Sequence, residues 1–99
     1  MQKKRYKLSS LAQTHLQQIR HYTIQNFSES QWQKYKASLI SGLQMLADNP
    51  DLGRPCHDIY PNGFYFPIGK HTAYFTKEYG FILIVAVLGQ PQLPQKHLK

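Results

Sequence analysis

Apolar residues divide the chain into a helical half and a strand-like half. Near the start, "RYKLS" (5–9) reads as a short strand with Tyr6 and Leu8 on one face, and Ser9 or Ser10 is placed to cap a following helix. The next apolar positions are Leu11, Ala12, Leu16, Ile19, Tyr22, Thr23 through its methyl, and Phe27. On a helical wheel they span roughly 160°, against the ~100° stripe that one contact requires, so this helix is expected to touch two surfaces. "SESQ" (28–31) is a capping box with Ser28 as cap. A second helix then carries Trp32, Tyr35, Leu39, Leu43, Leu46 and Ala47 at helical spacing, and Asn49-Pro50 stops it. The link around residues 26–28 is short, which predicts an antiparallel helical hairpin.

The second half switches period. Residues 48–58, "DNPDLGRPCHD", hold two prolines, a glycine and three acids and read as a loop in which Gly53 supplies a positive φ. Three strand-like runs follow at 63–68, 71–77 and 81–88, separated by the compact turns Gly69-Lys70 and Glu78-Tyr79-Gly80. Pro67 marks a strand end or an edge. The run "FILIVAVL" (81–88) is almost wholly apolar and is expected to be a central strand covered on both faces. The tail, with two prolines, is expected to be irregular. The predicted fold class is α+β in two layers: an N-terminal strand, an antiparallel helical hairpin packed on one side, and a three- or four-stranded antiparallel sheet.

A length of 99 residues predicts one domain spanning 1–99. Twelve Lys and Arg against five Asp and Glu give a net charge of +7, which favours an acidic partner, either nucleic acid or an acidic protein. The first 20 residues hold five basic groups and no acid. One cysteine, Cys56, excludes an internal disulfide. The basic start is followed by no apolar run of signal-peptide or membrane-span length, so a cytoplasmic location without membrane contact is expected.

Chemistry is sparse. No two of His15, His21, His57, His71 and His97 have i, i+4 spacing, and Cys56-His57 is adjacent, so no metal site is expected. No glycine-rich phosphate loop follows a strand. A metal-free ribonuclease would need acid–base groups with forked cationic clamps on one sheet face, and residues 64–88 contain no arginine. Lys70-His71 therefore reads as a polar turn rather than a catalytic pair, and no catalytic residue or cofactor is assigned.

Two motifs carry a resemblance to a known family. Leu46, Ala47, Pro50, Gly53 and Arg54 fit Leu-Ala-x-x-Pro-x-x-Gly-Arg, and Phe66, Pro67, Gly69, His71 and Tyr74 fit Phe-Pro-x-Gly-x-His-x-x-Tyr. In this order, on a small basic chain, they resemble the ParE branch of the RelE/ParE toxins of bacterial toxin–antitoxin modules. The likeness covers nearly the whole chain. Where the family often has Arg before its Phe-Pro pair, this chain has Tyr65. After the last strand Leu88, His97 and Leu98 keep the family's register, but Gly89, Gln92 and Leu93 replace its His, Met and Asp. These departures bear on potency more than on fold.

The resemblance implies a β-α-α-β-β-β fold and a toxin that inhibits DNA gyrase without being a hydrolase. It implies a ParD-like antitoxin as partner in a hetero-oligomer, with DNA met only through the antitoxin or gyrase. Two alternatives stay open: a RelE-like ribosome-dependent mRNA endonuclease, and an inactive relative that only binds antitoxin. The excess apolar arc on the helices offers a groove beside His15, Ile19, Tyr22, Tyr35 and Leu39 as the antitoxin site. Arg54, Lys70, His71 and His97 are the candidates for target contact.

Overall fold

The computed structural model describes residues 5–89. The elements are β1 (Tyr6–Leu8), α1 (Ser10–Asn26), α2 (Glu29–Asp48), a 3₁₀ turn (Pro50–Leu52), β2 (Arg54–Pro55), β3 (Gly63–Ile68), β4 (His71–Glu78) and β5 (Phe81–Gly89). Ser9 caps α1, its Oγ accepting the Ala12 N–H at 3.0 Å, and Ser28 caps α2 by accepting the Gln31 N–H at 3.0 Å. Each cap satisfies a backbone donor that the first helical turn leaves unpaired.

Among the described residues the sheet has five strands in the order β1-β5-β4-β3-β2; the four that follow the helices pair antiparallel, as expected, and the N-terminal strand joins them to make the sheet mixed. β1 lies parallel to β5, with Tyr6 opposite Ile82 and Leu8 opposite Ile84. The helical hairpin carries the chain across one face, so the first strand meets the last at the far edge. The short strand β2 falls in the segment expected to be a loop. It is two residues long and contains Pro55, which is too short for any alternation to register. The three antiparallel strands of the second half form as expected, joined by two-residue turns.

The core divides between the two faces of the sheet. On the helical side Trp32, Leu39, Leu43 and Leu46 of α2 and Ala12 of α1 pack on Tyr6, Ala73, Phe75, Ile82, Ile84 and Val87. On the outer side Tyr74, Val85, Ala86 and Leu88 pack with Cys56, Ile59 and Tyr60. The loop carrying those last three is folded on itself, with the Ile59 and Tyr60 N–H groups both donating to the Cys56 carbonyl at 2.9 Å. β5 is covered on both faces, as its unbroken apolar run predicts.

β5 also carries a bulge. Tyr74 pairs with Ala86 and Phe75 with Ile84, which leaves Val85 without a partner on β4. The extra residue shifts the side-chain alternation by one. Ile82 and Ile84 face the helices before it and Val87 after it, while Val85 and Ala86 both face outward. β1 ends at Leu8, so the other edge of β5 would lie open beyond Ile84. The start of α1 closes it. The Ser9 N–H donates to the Ile84 carbonyl at 2.9 Å, the Ser9 hydroxyl donates to the Val85 carbonyl at 3.0 Å, and the Val87 N–H donates to His15 Nδ1 at 3.2 Å.

Gly53 does not have the positive φ expected of it. Its φ is −71° and ψ 149°, an ordinary extended conformation. Space is what demands glycine there. A Cβ at this position would stand 2.3 Å from Cζ of Phe75, a ring with 0% exposure in the middle of the core.

Two stability measurements follow. Gly53→Ala should force the Phe75 ring or the loop to move and cost about 1–3 kcal/mol, lowering the melting temperature by roughly 4–8 °C per kcal/mol for a chain of this size. An unchanged melting curve would mean that the loop yields freely. Ser9→Ala removes a cap and a partner of the bulge at once, and should cost about 1–2 kcal/mol in chemical denaturation, whereas Ser10→Ala should be close to neutral.

Candidate binding groove

The hairpin turn between β3 and β4 is held by α2. Gly69 takes φ +61°, the left-handed value of the first central residue in a type II′ turn. A Cβ there would also sit 3.0 Å from the Tyr35 ring and hydroxyl. The Tyr35 hydroxyl accepts the Lys70 N–H at 3.0 Å and lies 2.5 Å from His71 Nδ1. A helix residue 34 to 36 positions away in sequence thereby fixes both the turn and the first side chain of β4. Burial pushes the His71 imidazole below its ordinary value, so its neutral form is favoured. Burial pushes the Tyr35 hydroxyl up, against a smaller opposing effect of the Lys70 amide.

This contact forms the floor of a groove of ≈ 950 Å³ between α1, the first turns of α2, the β3–β4 turn and the end of β5. Ile19, Thr23, Tyr22 and Phe27 of the first helix and its end form one wall. Tyr22 and Phe27 are 61% and 65% exposed and meet edge to face, with ring centroids 6.5 Å apart. Lys70 and His71 form the opposite rim, and among the described residues no carboxylate lines the groove.

The groove gathers residues that the sequence placed in two sites. His15, Ile19, Tyr22 and Tyr35 line it, and so do Lys70 and His71. Leu39 does not; it is 3% exposed and belongs to the core, because its place on α2 faces the sheet. His15 is also largely buried, and one of its ring nitrogens serves β5. Arg54 lies elsewhere. It pairs across strands with Tyr65, which pairs with Tyr74, so its side chain emerges on the outer face of the sheet. There it is exposed and, among the described residues, has no ion pair. His97, Gln92 and Leu93 lie outside the described residues. Phe27 and Val87 were missed as groove residues. Phe27 belonged to the surplus apolar arc, but its position at the helix end, beside the start of α2, depends on the hairpin.

Elsewhere the chemistry is quiet. Burial, with a smaller contribution from Asp58, raises the Cys56 thiol above its usual range, which disfavours the thiolate. Among the described residues no group of three or more His, Cys, Asp or Glu converges as metal ligands would, and no helix is long and apolar enough to cross a membrane.

Comparison with known proteins gives a consistent result. Toxin ParE1 of Mycobacterium tuberculosis, in strains CDC 1551 / Oshkosh and H37Rv, is 36% identical over 88 residues, covering 87% of this chain and 89% of the relative. A solved structure described as the chromosomal ParDE TA system from P. aeruginosa shares the fold, with a TM-score of 0.74 at 13% identity, over 88% of this chain and 96% of the other. Residues 6–94 match the family described as ParE toxin of type II toxin-antitoxin system, parDE. The chain therefore belongs to the ParE toxin family of type II toxin–antitoxin systems.

Proposed function

We propose that this ParE-family toxin acts in the cytoplasm by binding DNA gyrase rather than by hydrolysis, and that a ParD-like antitoxin neutralises it by laying an apolar, acidic segment into the groove. The observation that carries the second part is the groove itself: exposed aromatic residues on one wall, Lys70 and His71 on the other, and, among the described residues, no carboxylate between them. Apolar burial would supply most of the affinity, at roughly 25 cal/mol per Å² before ordering costs. The +7 charge of the chain would mainly speed encounter with an acidic partner. The non-hydrolytic reading is supported by the scatter of cations. Among the described residues Lys70 is the one Lys or Arg lining the groove, and Arg54 stands on the opposite face of the sheet. A clamp for a developing phosphorane charge needs several such groups converging.

The direct test is purified toxin in parallel gyrase-supercoiling and ribosome-dependent cleavage assays. Loss of supercoiling without mRNA cleavage is expected; cleavage alone would replace this reading with a RelE-like one. Arg54→Ala should keep its melting temperature, because the side chain is exposed, and lose gyrase inhibition if the outer face meets the target. A parallel fall in both would make Arg54 structural. Tyr22→Ser should weaken antitoxin binding tenfold or more at unchanged stability, and raising salt should slow association while leaving dissociation nearly constant.

A further inference from the structure

The floor of the groove has a defined donor and acceptor pattern. The Lys70 amide must donate, so the Tyr35 oxygen accepts from it. The Tyr35 proton then has its nearest acceptor in His71 Nδ1, 2.5 Å away. Burial favours the neutral ring. A neutral imidazole that accepts at Nδ1 carries its one proton on Nε2. The charged or titratable groups that line the groove with His71 are Tyr35 from α2, Lys70 from the turn, and His15 and Tyr22 from α1, while β5 contributes Val87 and Gly89. None is an acid.

We propose that His71 is the residue by which the groove selects an acidic group on its partner: Tyr35 holds the Nδ1 side, and a carboxylate of the incoming segment accepts a hydrogen bond from the Nε2–H beside the Lys70 ammonium. This rests on the reading of the groove as the antitoxin's seat, and it adds the kind of residue the antitoxin must place there, an Asp or Glu within an otherwise apolar stretch. The pairing also moves a proton. A carboxylate at Nε2 stabilises the imidazolium. The Tyr35 oxygen accepts the new Nδ1–H with its second lone pair and turns its own proton outward. Binding therefore takes up a proton between the lowered value of free His71 and its raised value in the complex. Affinity is flat at high pH and rises as pH falls through that window, by at most about tenfold per pH unit for a single proton.

The test has two arms. In the first, ¹⁵N NMR of the free protein should show neutral His71 as the Nε2–H tautomer at pH 7.5, and Tyr35→Phe should release that preference. An Nδ1–H tautomer would overturn the proposal. In the second, the product of the adjacent reading frame is co-expressed with the toxin, and the dissociation constant of the pair is measured from pH 8 to pH 6. Wild type should tighten about tenfold over this range, with His71 rather than His15 shifting upward by NMR. His71→Gln should remove the pH dependence, and His21→Gln, outside the groove, should retain it. A flat wild-type profile, or a slope that survives His71→Gln, would overturn the proposal while leaving the groove as antitoxin site. Failure of the pair to associate at any pH would remove the groove reading and this proposal with it.

Discussion

The closure of β5 by the start of α1 is the constraint on which the remaining architecture depends. A strand buried on both faces has no route to water for its main-chain polar groups, so every one must find a partner within the protein. β4 serves one edge of β5. On the other, β1 serves only the stretch opposite Ile82 to Ile84. Just beyond that point, Ser9 and His15 meet the carbonyls of Ile84 and Val85 and the N–H of Val87. The same three bonds set where α1 starts and how it lies over the sheet. They thereby set the position of the α1 wall of the groove. Ser9 has a double role, capping a helix with one lone pair while donating to a bulged strand.

Much of this was legible in the residues. The apolar period changes after Pro50, the capping serines lie where the periods begin, and the two-residue turns at 69–70 and 79–80 are marked by glycine. What could not be read has a physical cause in each case. The bulge at Val85 is invisible because β5 is apolar at nearly every position, so a shift in alternation leaves no trace in the pattern. The parallel pairing of β1 with β5 is a long-range contact between residues some 76 positions apart, as 82 minus 6 shows, and no local rule reports it. Gly53 was assigned to a conformational need and proved to answer a steric one. A one-dimensional reading registers a turn, but not a phenyl ring arriving from another strand.

The site was legible in a similar way. The wide apolar arc of α1 pointed to a second surface, and His15, Ile19, Tyr22 and Tyr35 do line one groove. Leu39 was misplaced because a helical wheel cannot say which part of a stripe the sheet will cover. The larger gap was that Lys70 and His71, read as a separate turn, close the same groove. Their union with Tyr35 comes from the docking of the β3–β4 turn on α2. Arg54, grouped with them as a candidate for target contact, emerges instead on the opposite face of the sheet.

The groove runs over the seam where three parts of the chain, α1, α2 and the β3–β4 turn, come together. A molecule lodged there touches all three at once, and it can do so only while they are assembled. It therefore adds its own binding free energy to the fold, growing with the logarithm of its concentration over its dissociation constant. A small basic chain with a single ion pair among its described residues has little electrostatic reserve of its own. Its persistence in the cell would then follow the supply of whatever fills the seam, so that recognition and resistance to proteolysis become one quantity.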